Sequence, residues 1–396
     1  LQSQSGTMVP LRYNMWSGLF VLAATMGRRV YIDHEHFQIR PSLYVTFVGR
    51  QAIRKSTAKD AAKTLFTESF PDYPVGASVM SREQIVTRMS KDEAMRTYMD
   101  EHGELIEWRP MVFFVNELKN FMSINPASMV EFLTDIFDTK FFNSDTIKHG
   151  LQPIINPCIN ILACETPKWV VEKLKLNIIA GGFSRRMLFI YETTRPSKIT
   201  FPQKSKQAYL SEDWCKTHLQ KIVKISGKFS WTMESKDFLD AWFQGLPQVQ
   251  DEIIEGFYES KDVLVSKVAM LLALAQPEPE LLITKELLIS AISFIESIED
   301  NLPKLTVAVG RNELAVPQQR LLQVLEESGG WLPEKTFHRI ASQDLNEYEY
   351  ASVKKLLKDT DQLFEIFFEY RGTKQMLIAN ESKYKELVEK GEIVSK

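Results

Sequence analysis

Residues 49–57 of this 396-residue chain carry the residue types that bind phosphate groups. They match the pattern GxxxxGK[ST], except that Arg54 stands at the second glycine. In that pattern, backbone N–H groups surround the β-phosphate of a nucleotide and the lysine bridges the β- and γ-phosphates. The hydroxyl that follows the lysine binds Mg²⁺. The candidate residues for binding ATP are Gly49, Arg54, Lys55, Ser56 and Thr57, with Ser56 also a candidate Mg²⁺ ligand.

Arg54 is the departure from this pattern, and it has two opposite consequences. If the backbone there needs a positive φ, an arginine costs about 1–2 kcal/mol relative to glycine. Its guanidinium, however, could itself contact a phosphate oxygen. A basic loop that binds no nucleotide is the alternative interpretation.

A second candidate motif is the apolar run Met111–Val115, which ends in Asn116 and Glu117. Such a run predicts a buried strand with polar residues at its end, which is typical of a Walker B strand. Glu117 would polarise the attacking water, and Asn116 would stand where an aspartate usually supports Mg²⁺. Because Asn keeps an acceptor oxygen but has no charge, we expect weak metal binding and slow hydrolysis. A surface cap at a strand end is the alternative.

Two further motifs accompany predicted strands. Thr166 follows the apolar run Ile159–Ala163 and is a candidate sensor of the γ-phosphate or the attacking water, or simply a cap for the helix that begins near Pro167. Arg185 and Arg186 follow a glycine pair and precede the run Met187–Tyr191. Either arginine, Arg186 first, could stabilise charge on the γ-phosphate in a neighbouring subunit. A solvated arginine pair is the alternative.

The elements that must position these residues change character along the chain. Short apolar runs alternate with helical patterns up to residue 205, as in a parallel sheet covered by helices. Residues 206–310 show helical periodicity without a strand signal, and residues 311–396 predict three helices and a β-hairpin. The fold class is therefore α/β, with three predicted domains: a parallel-sheet core (1–205), an all-α lid (206–310) and a winged helix (311–396).

The order of these motifs resembles that of AAA+ P-loop ATPases, in particular the replicative helicases of the minichromosome-maintenance and superfamily 3 kind and their phage, plasmid and mobile-element relatives. The resemblance covers nearly the whole chain and includes the stretches Pro10–Ser56, Gly181–Arg186 and Lys267–Ala275. It implies a homo-oligomeric, hexameric ring with ATP and Mg²⁺ at subunit interfaces and DNA in a basic channel. In that family a lid lysine, Lys261 or Lys267, could contact the nucleotide, although a solvated helix face is the more ordinary expectation.

Basic residues of the C-terminal part are candidates for contacting DNA phosphates. They are Lys354, Lys355 and Lys358 on a predicted helix, and Arg371 and Lys374 at the hairpin tip. The net charge is +5 for residues 1–205, −6 for 206–310 and −2 for 311–396. Because the C-terminal part is acidic overall, a protein-contacting role is an equal alternative.

The remaining features limit the function classes. Three cysteines without CxxC spacing and apolar runs shorter than the ~20 residues of a bilayer span predict a cytoplasmic protein without a membrane segment. The histidines in Asp33-His34-Glu35-His36 lack zinc-site spacing and are expected at the surface. The resemblance implies an ATP-dependent DNA helicase or translocase, and an ATP-binding scaffold or loader that hydrolyses weakly is the alternative. A sequence-specific regulator built on the winged helix is disfavoured by the acidic charge of residues 311–396.

Overall fold

The computed structural model describes residues 8–146, 150–170, 183, 185–197, 199–200, 206–247, 256–299, 315–342, 345, 347–370 and 373–393. The chain divides into two compact units, Leu1–Leu305 and Thr306–Lys396. The mixed α/β class predicted from the sequence is confirmed. In the part of the chain that is described, none of the helices has the length and apolar character needed to cross a bilayer.

The N-terminal elements of the first unit build a sheet and its covering helices. In chain order they are α1 (Leu11–Met26), β1 (Val30–Asp33), β2 (Gln38–Ile39), β3 (Tyr44–Gly49), α2 (Lys55–Ser69), α3 (Arg82–Met89), a 3₁₀ turn (Asp92–Ala94), β4 (Arg96–Met99), β5 (Leu105–Val115), α4 (Leu118–Phe121), α5 (Pro126–Ile136), β6 (Phe141–Thr146), β7 (Gly150–Ile155), β8 (Pro157–Glu165) and β9 (Met187–Glu192).

The main sheet has five strands in the order β4-β5-β8-β3-β9. β5, β8, β3 and β9 run parallel, and β4 is an antiparallel edge strand. The carboxyl ends of the four parallel strands therefore meet at one edge, the carboxyl edge. The runs Met111–Val115, Ile159–Ala163 and Met187–Tyr191, which are predicted as strands, all lie in this sheet. Their apolar character follows from burial on both faces, as in other parallel sheets.

One face of the sheet is covered by α1 and α2, whose aromatic side chains form much of the core. Tyr13 of α1 stacks on Phe47 of β3 at a centroid distance of 4.6 Å. Phe20 of α1 and Phe66 of α2 both pack against Phe114 of β5. This packing fixes α1 across the strand that leads into residues 49–57.

Residues 206–247 and 256–299 form a mainly helical region within the first unit. It contains α6 (Lys206–Ile222), β10 (Gly227–Lys228), β11 (Ser230–Trp231), α7 (Met233–Gln244), α8 (Lys261–Leu274), β12 (Leu282–Ile283) and α9 (Lys285–Glu299). The expectation of an all-α lid is wrong in this respect, because β10 pairs with β1 and β11 pairs with β12. Two-residue strands cannot show periodicity, so the sequence pattern does not reveal them.

The second unit has its own apolar core and its own sheet. Its elements are α10 (Ala315–Glu327), β13 (Trp331–Pro333), α11 (Glu334–Ala341), α12 (Glu347–Asp359), β14 (Leu363–Tyr370), β15 (Thr373–Asn380) and α13 (Glu381–Glu389). The strand order is β13-β15-β14, all antiparallel. Three helices and a hairpin lie where the sequence predicts them, and β13 and α13 are additions.

Candidate phosphate-binding site at the carboxyl edge

Residues 50–54 connect β3 to α2 at the carboxyl edge and adopt an unusual backbone. Ala52 has φ 65°, and Arg54, the residue before α2, has φ 71° and ψ 26°. Arg54 therefore has the positive φ at which an arginine is less stable than a glycine. Residues of alternating handedness turn successive N–H groups toward one point, an arrangement that favours anions.

The N–H groups of this loop are not used by the rest of the fold. Among the described residues, no backbone or side-chain acceptor takes a hydrogen bond from the N–H of residues 50–57. Four of these groups open α2 or immediately precede it, where the helix dipole adds partial positive charge. Arg54 also has a buried Nε without a hydrogen-bond partner in the described chain. The loop thus presents several donors and no internal acceptor for them.

Lys55 folds back over this loop instead of extending into solvent. Its Nζ donates to the carbonyl oxygens of Gly49 and, at 2.9 Å, of Arg50. Burial lowers the pKa of Lys55, while nearby Cys164 and Glu165 raise it. Ser56 is exposed and Thr57 half-buried on the first turn of α2. All five candidate nucleotide-binding residues therefore lie in one loop and one helical turn.

Gly49 cannot be replaced without moving its neighbours. A Cβ there would lie 2.7 Å from the Tyr13 hydroxyl and 2.9 Å from the Glu192 carbonyl oxygen. The Tyr13 hydroxyl donates to the Val48 carbonyl at 2.6 Å, and burial together with Glu192 raises the pKa of Tyr13. Glycine at this position is required by packing of α1 and β9 around the end of β3.

The end of β5 places Asn116 and Glu117 at the same edge, both exposed. The Glu117 carboxylate faces residues of its own turn: Oε2 lies 3.2 Å from Lys119 Nζ and accepts from Asn120 Nδ2 at 3.0 Å. Glu117 immediately precedes α4. Both residues lie at the same edge of the sheet as the loop, with the end of β8 between them and β3, which is compatible with the predicted roles. The ion pair of Glu117 with Lys119 also fits the surface-cap alternative.

The end of β8 lies between the ends of β3 and β5 and carries Thr166 together with a residue that the sequence analysis missed. Glu165 is 2% exposed. Thr166 Oγ1 donates to Glu165 Oε1 at 3.2 Å, and the Thr166 carbonyl accepts from the Val170 N–H at 3.4 Å in the helical segment 167–170. The signal that could have found Glu165 is a lone carboxylate ending an otherwise apolar strand.

Arg185 and Arg186 lie at the opposite edge of the sheet. Because Tyr44 pairs with Met187, Arg186 precedes the first residue pair of β3 and β9, about 20 Å of strand away from Gly49. Arg185 forms an ion pair with Glu259 at 3.1 Å, and the half-buried Arg186 guanidinium lies 5.7 Å from the Phe137 ring centroid. Within one chain, neither arginine reaches the loop. Gly181, Gly182 and Ser184 lie outside the described residues.

Lys261 and Lys267 of α8 are each 2% exposed, so the expectation of a solvated helix face is wrong. Lys261 pairs with Glu299 of α9 at 2.6 Å. Lys267 donates to the Ser42 carbonyl at 3.2 Å, at the amino end of β3, and burial lowers its pKa. Lys267 therefore faces the edge opposite the loop, and Lys261 links two helices of the lid region.

A cavity of about 680 Å³ lies on the β9 side of the loop. Glu192, which pairs with Gly49, lines it together with Arg12, whose Nε is 2.9 Å from Glu192 Oε1. The first turn of α1, residues 194 and 196 and one face of α9 supply the other walls. The volume is within the range of small-molecule sites, ~300–1,000 Å³.

The candidate DNA-binding lysines of the second unit differ in their surroundings. Lys354 Nζ lies 2.8 Å from both Glu334 and Glu365, and Lys358 Nζ lies 2.5 Å from Glu365. Lys355 is exposed. Arg371 lies outside the described residues, and for Lys374 the structure describes only its strand position opposite Glu369.

His34, Glu35 and His36 form an exposed turn between β1 and β2, after the half-buried Asp33 that ends β1, which confirms the predicted surface position of the histidines. The residues with described positions include no group of three or more His, Cys, Asp or Glu side chains that could hold a metal ion. Family models were scanned and none matches this sequence, and a search of curated proteins also found no significant match.

Proposed function

We propose that residues 49–57 bind the triphosphate of ATP and that this chain is an ATPase of the AAA+ P-loop type. The observation that carries the proposal is the loop backbone: residues 52 and 54, just before α2, are left-handed, and in the described part of the chain the N–H groups around them have no hydrogen-bonded acceptor. Fixed N–H donors, a helix dipole and a lysine at one point form a site for a polyphosphate. The buried Nε of Arg54 adds a cationic donor at the position where the pattern has glycine.

The side chains around the loop suit the magnesium ion that accompanies ATP. Mg²⁺ prefers oxygen ligands and usually combines one or two protein oxygens with phosphate and water. Ser56 and Asn116 would supply those protein oxygens, and Glu117 would polarise the attacking water after release from Lys119. The metal would neutralise charge on the β- and γ-phosphates.

The cavity beside the loop would hold the base and sugar of the nucleotide. Glu192, which pairs with Gly49, is one of its lining residues, and residues of α1 and α9 form other walls. Its walls mix apolar side chains such as Met15 and Phe294 with polar ones such as Ser290 and Ser293. An aromatic base against the apolar walls, with the sugar near the polar ones, would match this lining.

We further propose that the chain acts as a ring, with residues 206–310 as the lid, residues 311–396 as a winged helix, and DNA as the polymer on which a helicase or translocase works. The positions of Arg185 and Arg186 support subunit-interface sites. They lie far from the loop of their own chain, so a finger role requires a neighbouring subunit. A head-to-tail ring, hexameric in the family that the sequence resembles, brings the two edges together.

Calorimetry with MgATP tests the nucleotide site directly. Lys55→Ala removes the ammonium that bridges the phosphates, and charge-assisted hydrogen bonds of that kind imply a loss of about 10- to 100-fold in affinity. Lys63→Ala is the matched control, because Lys63 is exposed on the same helix and should leave affinity unchanged. Absence of MgATP binding by the folded wild-type protein would refute the proposal.

The weakly hydrolysing scaffold or loader remains a second candidate, and a specific observation favours it. The Glu117 carboxylate is engaged by Lys119 and Asn120, and Asn116 carries no charge. Single-turnover hydrolysis compared with binding separates the two functions. Tight MgATP binding with hydrolysis at the background rate identifies a scaffold, and measurable turnover identifies a motor.

A further inference from the structure

Glu165 is the one carboxylate in the described part of the chain that is buried. Removing a carboxylate from water costs several kcal/mol unless hydrogen bonds or positive charges compensate. The fold places this costly group at the end of the central strand, between the strand that leads into the loop and the strand that ends before Asn116. The burial of the Glu165 carboxylate at this position therefore needs an explanation.

Three hydrogen bonds compensate the burial of this carboxylate. Oε2 accepts from the Lys119 N–H at 2.8 Å, and Oε1 accepts from the Thr166 N–H at 2.8 Å and the Thr166 hydroxyl at 3.2 Å. Glu165 therefore connects the turn that carries Glu117 to the residue predicted as sensor. It also lies close enough to Lys55 to raise that lysine's pKa against the effect of burial.

The strand register places Glu165 level with Glu117, one residue beyond the candidate metal ligand Asn116. Val115 pairs with Ala163, so Asn116 and Glu117 extend β5 beside the end of β8. On the other side, Val48 pairs with Glu165, one residue before the loop begins. Asn116 offers an oxygen but no charge, and Glu165 offers a charge from the adjacent strand.

The hydrogen bond between Thr166 and Glu165 also decides what the hydroxyl can do. A carboxylate only accepts, so the hydroxyl must donate its single hydrogen to Glu165. The lone pairs of Thr166 Oγ1 then remain for a donor. A water molecule is such a donor and a phosphate oxygen is not. Of the two partners predicted for Thr166, the geometry favours water.

We propose that Glu165 supplies the negative charge of the Mg²⁺ site that Asn116 lacks, as a positioning residue that acts through the Thr166 hydroxyl and the water it orients. This inference rests on the proposed nucleotide site. The role assigned to Glu165 is indirect, because Oε1 accepts two hydrogen bonds from Thr166 and Oε2 accepts one from the Lys119 N–H. The carboxylate has in effect moved from the end of one strand to the end of its neighbour.

The test measures how much Mg²⁺ strengthens nucleotide binding, using calorimetry with ATP in Mg²⁺ and in EDTA. Glu165→Gln should lose about 10-fold or more of the strengthening by Mg²⁺, with affinity in EDTA unchanged or higher. Glu165→Gln combined with Asn116→Asp should recover most of the loss, because it returns a carboxylate to the other strand. Thr166→Val, which keeps Glu165 and both backbone bonds but removes the hydroxyl through which Glu165 acts, should lose a comparable part.

Three results would overturn the inference. One is an unchanged effect of Mg²⁺ in both Glu165→Gln and Thr166→Val. Another is an equal loss of affinity in Mg²⁺ and in EDTA, which is what a purely structural role produces. The third is failure of Asn116→Asp to recover binding in the Glu165→Gln protein. If Glu165→Gln does not fold, Thr166→Val is the test. A reduced effect of Mg²⁺ on its nucleotide affinity supports the inference, and an unchanged effect overturns it. Failure of the wild type to bind ATP would instead refute the proposed function.

Discussion

At the scale of single residues, Arg54 shows how one side chain can oppose stability and support binding. Left-handed backbone costs an L-residue about 1–2 kcal/mol, and the loop accepts this cost twice, at Ala52 and Arg54. Glycine would remove the cost at either position. In the proposed nucleotide site, a contact between the Arg54 guanidinium and a phosphate would offset this cost.

Replacing Arg54 by glycine should separate the two effects. We expect Arg54→Gly to raise the free energy of unfolding by up to about 1 kcal/mol, because the relief of strain exceeds the extra chain entropy of glycine. MgATP affinity should fall, since a cationic donor is lost. Urea denaturation without ligand and calorimetry with MgATP measure the two changes.

The control for this variant is Ala52→Gly, which relieves the same kind of backbone strain without removing a charge. It should stabilise the protein to a similar extent and leave MgATP affinity close to that of the wild type. If both variants weaken binding equally, loop flexibility and not the Arg54 guanidinium explains the loss.

At the scale of elements, the four core strands and the helices of the second unit could be predicted because each carries its own signal. Met111–Val115 and Leu363–Tyr370 are continuous β-rich runs, and α12 and α10 show helical periodicity. β10, β11 and β12 could not be predicted, since two residues carry no period and their pairing partners are distant in sequence.

In the candidate site, too, some features follow from a local sequence pattern and others depend on contacts between distant parts of the chain. The residues of the loop follow one another in sequence, so their grouping could be predicted from a pattern. The contact between Glu165 and the Lys119 N–H depends on which strands are neighbours in the sheet. Strand order cannot be predicted from any local sequence pattern. The burial of Lys267 likewise depends on α8 packing against Ser42, far away along the chain.

The ion pairs of α12 lead to a prediction about the second unit. Lys354 joins α12 to Glu334 of α11 and Glu365 of β14. Burial by itself lowers the pKa of Lys354, but hydrogen bonds to the two carboxylates outweigh it and raise the pKa overall. Lys354→Ala should therefore destabilise this unit, by roughly 1–2 kcal/mol for a partly buried pair.

Lys355 is the matched comparison, because it is exposed on the same helix. Lys355→Ala should leave the melting temperature unchanged and should weaken binding to duplex DNA if α12 contacts phosphates. Thermal melting and fluorescence anisotropy at fixed salt measure both properties. Loss of DNA affinity in Lys354→Ala without loss of stability would mean that Lys354 is available to DNA and that its ion pairs are dispensable.

At the scale of the whole molecule, the two edges of the main sheet hold different parts of one proposed reaction. The carboxyl edge holds Lys55, Glu117 and Glu165, and the amino edge holds Arg186 beside Phe137. A single chain cannot bring them together across about 20 Å of strand. Subunits arranged head to tail can bring Arg186 and the loop together, because each subunit then presents its amino edge to the carboxyl edge of the next.

Mixing two inactive variants tests this arrangement. Lys55→Ala removes the loop lysine and Arg186→Ala removes the finger, so each variant alone should hydrolyse ATP slowly. In a mixed ring, some interfaces combine an intact loop from the Arg186→Ala subunit with an intact finger from the Lys55→Ala subunit. At an equal ratio, about a quarter of random interfaces are complete, and ATPase activity should recover toward that fraction of the wild-type rate. A mixture of Lys63→Ala with Lys55→Ala controls for dilution, since Lys63→Ala subunits contribute intact loops and fingers together.

One outcome would contradict the arrangement. Both variants assemble with wild-type subunits, but the mixture of Lys55→Ala and Arg186→Ala has only the summed activity of the two inactive variants. Arg186 would then lie outside the nucleotide site, and the loop would work within its own chain.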